Sequence, residues 1–278
     1  CRKFVDVFQK SKGVIIGMVH LRALPGSTPK NNLCVTQICD IALKEAEIYI
    51  NAGLDGIMIE NMHDVPYKKN NLIGPEITAA MATVGSKLRT NFSEIPIGVQ
   101  ILTAANQEAL AVAKCCDLDF MRAEGFVFSH IGDEGIIDSC AGSLLRYRKQ
   151  LNAENVLVFA DVKKKHSSHA ITSDTSVAET SQAAEFFLAD GVIITGSQTG
   201  VSADPLQLQD VQNQVEIPVL VGSGVSVENI ENFIRCSALV IGSHFKVGGF
   251  WGNDVDVHRV EDFMNRVRHW ELRCNVNS

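Results

Sequence analysis

Between positions 161 and 169 the chain gathers Asp161, Lys163, Lys164, Lys165, His166 and His169. A lysine beside a carboxylate can serve as an electrophile, a Schiff-base amine or a proton carrier, because burial and a neighbouring charge tune its pKa. Asp161 is near enough in sequence to be the partner of Lys163. A second group, Glu60 followed by Asn61, His63 and Asp64, supplies a carboxyl for the acid and base steps of isomerisation or aldol chemistry. Glu60, Asp161 and Lys163 are therefore the expected catalytic residues. The plainer reading is structural, with an ion pair closing the site, Lys164 and Lys165 solvated, and Glu60 bridged to Arg122.

Glycine-serine turns follow three apolar runs: Gly196-Ser197 continuing to Gly200, Gly222-Ser223-Gly224, and Gly242-Ser243. Glycine lets backbone N–H groups approach an anion closely, and a helix starting near Ser243 would add its positive end. Gly196, Ser197, Gly222, Ser223, Gly224, Gly242 and Ser243 are thus expected to bind a phosphate. Tight turns need glycine for their own sake, which is the plainer reading of any one of them.

Short β-rich runs that alternate with helical patterns must position these groups. Strands are expected at 14–19, 56–60, 97–101, 120–123, 156–162, 191–195, 219–221 and 239–241. Eight strands separated by helices predict an α/β fold, a (β/α)8 TIM barrel formed as a single domain over 1–278, with a doubly wound open sheet as the alternative. Before strands two, four, six and eight a similar helix-end phrase recurs: Ala52-Gly53-Leu54-Asp55, Cys116-Asp117-Leu118-Asp119, Leu188-Ala189-Asp190-Gly191 and Cys236-Ser237-Ala238. It reads either as a quasi-repeat or as ordinary turn chemistry.

Side-chain alternation turns Val156, Val158, Ala160 and Val162 outward and Leu157, Phe159, Asp161 and Lys163 toward the barrel axis. It likewise turns Met58 and Glu60 inward. His20, Gln100, Arg122 and Glu124 come at the C-terminal ends of their strands, where barrel enzymes build their sites. With His166, they are the expected substrate-binding residues. Segments 21–33, 61–74, 123–138 and 164–173 exceed ordinary connections and are candidate lids.

Composition narrows the functional classes. A hydrophobic content of 46% with only 6% aromatic residues suits an aliphatic α/β interior. The net charge of −7 argues against nucleic-acid binding. No apolar run approaches the roughly 18 residues of a membrane span, and no secretory segment is evident. The eight cysteines show no CxxC spacing and read as reduced thiols. The chain opens on Cys1 rather than methionine, which is read as loss of an upstream segment, either an organellar targeting peptide or a trimmed terminus. The expected location is a reducing compartment, the mitochondrial matrix or the cytosol. His20, His63, His130, His166 and His169 could converge on a metal, but His20-Leu21-Arg22 lacks the His-x-His of barrel zinc hydrolases, so no metal and no cofactor is assigned. The expected partner is a phosphorylated small molecule, and self-association into a homo-oligomer is left open.

Several phrases carry a specific likeness. Gly17-Met18-Val19-His20-Leu21 with Leu24-Pro25-Gly26, Asp55 through Asn61, Arg122-Ala123-Glu124, Ala160 through His166, Thr195 through Gly200, and Phe245-Lys246 to Gly248-Gly249 resemble the BtpA/SgcQ family over nearly the whole chain. The resemblance implies a TIM-like barrel of the phosphate-binding group, akin to phosphoribosylanthranilate isomerase. One branch of that family is linked to photosystem I assembly or stability and another to sugar-utilisation gene clusters. Two functions follow as expectations: an enzyme acting on a phosphorylated sugar or nucleotide-like metabolite by isomerase or lyase chemistry, or a noncatalytic assembly factor.

Overall fold

The structure, a computed structural model, describes residues 3–28, 32–196 and 200–276. Eight parallel strands close into a barrel: β1 (Val14–His20), β2 (Gly56–Glu60), β3 (Ile97–Gln100), β4 (Phe120–Ala123), β5 (Leu157–Val162), β6 (Gly191–Thr195), β7 (Val219–Gly222) and β8 (Ala238–Ile241). They neighbour one another in chain order, and β8 returns to pair with β1. The helices are α1 (Phe4–Phe8), α2 (Val35–Ala52), α3 (Pro75–Asn91), α4 (Asn106–Cys115), α5 (Ala141–Gln150), α6 (Val177–Phe186), α7 (Pro205–Gln214) and α8 (Val257–Val276). Between β7 and β8 a single 3-10 turn, Ile230–Asn232, stands where a helix would otherwise lie. Cys34, Cys39, Cys115, Cys116, Cys140 and Cys236 are free thiols.

The expected alternation holds along the strands. Ile57, Ile59, Val156, Val158, Ala160 and Val162 pack outward beneath the helices. Met18, Met58, Phe120, Leu157, Phe159 and Leu220 fill the axis. Two large rings at one level need a small neighbour: a Cβ on Gly98 would lie 2.1 Å from the Phe120 ring. Helix α1 is too short to persist alone and is held by what it covers. Phe4 sits 6.0 Å from Phe159, and Phe8 sits 5.5 Å from Phe120, closing the N-terminal end of the barrel.

The recurring phrase before the even-numbered strands has a physical role. Ile15 N donates to Asp55 Oδ2 at 2.8 Å, Ile97 N to Asp119 Oδ2 at 2.9 Å, Val158 N to Asp190 Oδ2 at 2.8 Å, and Val219 N to Ser237 Oγ at 3.3 Å. In return the backbone N–H of each of those four residues donates to the carbonyl of the same strand residue, Ile15, Ile97, Val158 or Val219. Each even-numbered strand thus staples the start of the preceding odd one, so the quasi-repeat is a belt around the bottom of the barrel. The staple satisfies odd-strand N–H groups at a level where the sheet ladder begins.

Two of the long loops become structured lids. His130–Gly132 and Gly135–Ile137 form a hairpin whose first strand also pairs with Ser167–Ser168, joining the loops after β4 and β5. These three short strands are not legible as periodic runs, since two or three residues carry no alternation. His130 is buried in this sheet, with its ring 5.3 Å from that of His169.

Asp119 is buried and also pairs with Arg89. Asp119→Ala should lower stability by about 3 kcal/mol, through the stranded Ile97 N–H and the unpaired guanidinium; urea unfolding checks this, and a change below about 0.5 kcal/mol would refute it. The lid carries its own pH dependence. Burial, reinforced by the Lys164 charge, pushes His130 from 6.5 down to about 4. The folded protein then binds fewer protons than the unfolded chain between those values, so this stability is complete above pH 6.5 and lost as pH falls toward 4. The melting temperature should decline across that window, and His130→Gln should flatten the decline; parallel profiles would exclude His130 as the source.

Candidate active site at the barrel mouth

Above the apolar axis the inward side chains become charged. Arg122 at the end of β4 and Asp161 on β5 are buried and bound side by side. Arg122 Nε donates to Asp161 Oδ1 at 2.9 Å and Oδ2 at 3.0 Å, and Nη2 lies 2.9 Å from Oδ1. Gly222 at the end of β7 lies beside the pair; the tightest contact of a Cβ there would be the Ile193 side chain at 3.2 Å. Burial pushes the Asp161 carboxyl up, and the Arg122 charge opposes the shift.

Sheet register sets His20, Glu60 and Gln100 in a row across β1, β2 and β3. His20 Nδ1 lies 3.2 Å from the Trp251 carbonyl, which can only accept, so Nδ1 carries the proton and Nε2 is bare. Burial, followed by the Lys246 charge, keeps this imidazole neutral by pushing its pKa well down. Its Nε2 lies 3.6 Å from Glu60 Oε2, beyond hydrogen-bond length. Glu60 is buried, and its pKa is raised: desolvation outweighs the attraction of Arg122 and Lys165. Lys165 is pushed the other way, downward, by burial and then by Arg122, against the pull of Glu60 and Asp161. A carboxyl held toward its neutral form and an ammonium held toward its neutral form thus face one another, the pattern that acid–base catalysis uses.

Side chains far apart in sequence tie down the roof. Lys246 is fully buried and donates to Glu45 Oε2 of α2 at 2.7 Å, while Arg22 pairs with Asp254 and approaches Glu45 at 3.7 Å. These contacts bring the segment after β8 over the mouth, and the Trp251 ring meets that of His63 at 5.2 Å. Below it, Asn61 Nδ2 donates to Asp64 Oδ2 at 2.9 Å, Leu102 N donates to Asn61 Oδ1 at 2.7 Å, and Leu24 N donates to Asp64 Oδ1 at 2.7 Å. Asn61 and Asp64 therefore clasp the loops after β1, β2 and β3.

The mouth opens into two lobes that share Glu60, Met62, Arg122 and Lys165. The first holds His20, the turns at Ser223-Gly224 and Gly242-Ser243, and Arg259 of α8. Ser223 and Gly224 have φ of 79° and 68°, and a Cβ on Gly224 would collide with the Val201 backbone at 2.2 Å, so glycine is required where the turns after β6 and β7 meet. A Cβ on Gly242 would approach the His20 ring at 3.2 Å. Arg259 reaches this lobe because its Nε donates to the His244 carbonyl at 2.6 Å. The second lobe holds Gln100, Glu124, Asp161 and His166, under Tyr67 and Trp251. Glu124 accepts from Ala104 N at 2.8 Å and pairs with Lys164 at 3.3 Å.

Three expectations need correction. Lys163 does not face the axis: β5 ends at Val162, residue 163 takes a φ of 45°, and its Nζ donates to the Thr172 carbonyl at 2.8 Å. Lys165 occupies the mouth instead. The bridge from Glu60 to Arg122 also gives way, because Asp161 takes the guanidinium. Gly196 is not part of the first lobe's wall; it is buried against Val201, whose carbonyl a Cβ would meet at 2.1 Å. Gly222 lies at the end of β7, directly before Ser223 of the first lobe, and Ser197 lies outside the described residues. Sequence reasoning missed Lys165, Arg259, Tyr67 and Trp251. Only the break in alternation after Val162 could have signalled Lys165. Among the described residues no group of three or more His, Cys, Asp or Glu side chains is arranged to hold a metal ion.

This barrel has solved counterparts at low sequence identity. Phosphoribosyl anthranilate isomerase from Thermus thermophilus matches with a TM-score of 0.56 at 13% identity, over 92% of this chain and 99% of that one. Orotidine 5'-monophosphate decarboxylase from Methanocaldococcus jannaschii, complexed with the inhibitor BMP, matches at 0.57 and 14%, over 93% and 99%. Sequence relatives are nearer. A Caenorhabditis elegans protein whose name includes "mitochondrial" is 48% identical over 94% of this chain and 95% of its own length. The photosystem I biogenesis protein BtpA of Synechocystis is 32% identical over 95% and 91%. The BtpA family model matches residues 10–269, and the chain belongs to the BtpA family.

Proposed function

We propose that the protein is an enzyme that binds a phosphorylated small metabolite across the barrel mouth and moves a proton on it. The observation that carries this reading is the Glu60–Lys165 juxtaposition on the floor shared by both lobes. The phosphate lies in the first lobe, between the turns at Ser223-Gly224 and Gly242-Ser243, with the Arg259 guanidinium as its cation. The solved barrels named above support it, since both are enzymes named for phosphorylated compounds.

Glu60 in its carboxylate form takes a proton from a carbon next to a carbonyl. The electron pair of the broken C–H bond moves onto the carbonyl oxygen, where the Lys165 ammonium meets the developing charge. In an isomerisation Glu60 then returns the proton to the former carbonyl carbon, while the hydroxyl proton on the adjacent carbon passes to the first oxygen, so that the carbonyl has moved by one carbon. A lyase variant breaks a carbon–carbon bond in place of the C–H bond and uses the same stabilised electron pair. Asp161 holds Arg122 fixed behind the reacting atoms, so the floor need not reorganise as charge develops. His20, Gln100, Glu124 and His166 orient the remainder of the ligand.

A second reading, an assembly factor without catalysis, is supported by the name of the Synechocystis relative. A mitochondrial location is supported by the name of the C. elegans relative. No helix among the described residues is long and apolar enough to cross a membrane.

A thermal-shift screen against inorganic phosphate, sugar phosphates and nucleotides tests the binding half. A ligand at a hundred times its Kd adds about 2.7 kcal/mol, a shift of roughly 5–10 °C for a chain of this length. Ser223→Asp and Ser243→Asp should abolish the shift by placing a carboxylate against the phosphate. No shift with any phosphate compound, together with a stable protein complex captured independently of Glu60, would favour the assembly reading. With a substrate in hand, Lys165→Met should lower kcat by about a hundredfold or more while phosphate binding persists, and Lys163→Met should leave kcat nearly unchanged. The kcat/KM profile should fall on the acid side as Glu60 is protonated, at a pH above the ordinary carboxylate value of 4.5. It should fall on the basic side as Lys165 deprotonates, below the ordinary 10.5.

A further inference from the structure

We infer that the second lobe is a subsite for a flat group bearing N–H donors, so that the ligand is a sugar phosphate carrying a base rather than a simple sugar phosphate. The inference rests on the phosphate reading above and names the other end of the same molecule. Its first support is a pair of stranded acceptors. Gln100 Oε1 and Glu134 Oε2 are buried and, among the described residues, have no hydrogen-bond partner. Both side chains line this lobe, and Gln100 is only 2% exposed. A buried acceptor without a donor is costly, and a ligand that brings donors to both removes that cost.

The hairpin lid explains why these acceptors lie together. Its tip carries Asp133 and Glu134, and Thr103 Oγ1 donates to the other Glu134 oxygen at 2.7 Å, fixing the carboxylate over the lobe. Met62, Tyr67, Leu102 and Trp251 give the lobe an apolar and aromatic stretch of wall, beside the charged floor of Arg122, Glu124, Asp161 and Lys165. A polyol would press unpaired hydroxyls against that apolar stretch. A flat ring instead lays its faces on apolar side chains and confines its donors to one edge, which suits two acceptors on one side. Since Glu60, Met62, Arg122 and Lys165 border both lobes, one ligand can place its phosphate in the first, its ring in the second and its reacting carbon between them.

Isothermal titration of the full chain with inorganic phosphate, ribose 5-phosphate and the 5'-monophosphates of adenosine, guanosine and cytidine tests this. At least one nucleotide should bind about tenfold or more tightly than ribose 5-phosphate, as two new hydrogen bonds allow. In Gln100→Leu, and separately in the loop variant Glu134→Ala, that ratio should shrink to about threefold or less. If ribose 5-phosphate binds and no nucleotide exceeds it, or if the excess survives in both variants, the subsite is overturned while the phosphate reading stands. If inorganic phosphate and every other compound fail to bind, both readings fall.

Discussion

The buried Arg122–Asp161 pair is the contact on which the mouth of this barrel depends. Two charges at the end of an apolar axis would be very unfavourable apart, and their doubly bound geometry makes them tolerable. Asp161 takes up the guanidinium, Glu60 has only the neutral His20 at 3.6 Å, and burial draws its carboxyl toward the neutral form. Because the guanidinium stays charged, Lys165 beside it is drawn the same way. Burial beside one structural ion pair thus draws two neighbouring groups, a carboxyl and an ammonium, toward their neutral forms.

The barrel divides this work from the work of holding itself together. Its N-terminal end is closed by α1 and ringed by the staples of Asp55, Asp119, Asp190 and Ser237, which fix strand starts and leave strand ends free to carry polar groups. At the other end, polar side chains are spent on loops: Asn61 and Asp64 clasp three of them, and Glu45 with Lys246 and Arg22 anchors the segment bearing Trp251. The lobes keep their shape because these ties lie beneath and beside them. None of the ties draws on the Glu60–Lys165 pair.

The two lobes also divide by chemistry. Glycine-rich turns and Arg259 line one, whereas aromatic side chains together with acidic and basic ones line the other. In the proposed function this division orients the ligand, and the shared floor sets which of its atoms meets Glu60. The glycines at 98, 224 and 242 shape the barrel by absence, each leaving the space that a ring or a neighbouring turn occupies.

Periodicity alone was enough for the eight strands, their inward and outward faces, and the arrival of polar residues at strand ends, because alternation is a local property that survives closure of the sheet. The recurring phrase before the even-numbered strands was legible as well, though its meaning as a set of staples required the partner strands. What only the tertiary structure decided lies past the strand ends. Alternation carries no information after Val162, where a positive φ turned Lys163 away and brought Lys165 in. Arg259 and Trp251 reach the mouth from the last part of the chain through His244 and Lys246, contacts between residues that no spacing connects. The sequence by itself determined which residue types would meet at the mouth, since burial pattern is written locally. Which lysine faces Glu60 was decided by loop closure and by competition among buried charges, and both depend on the whole fold.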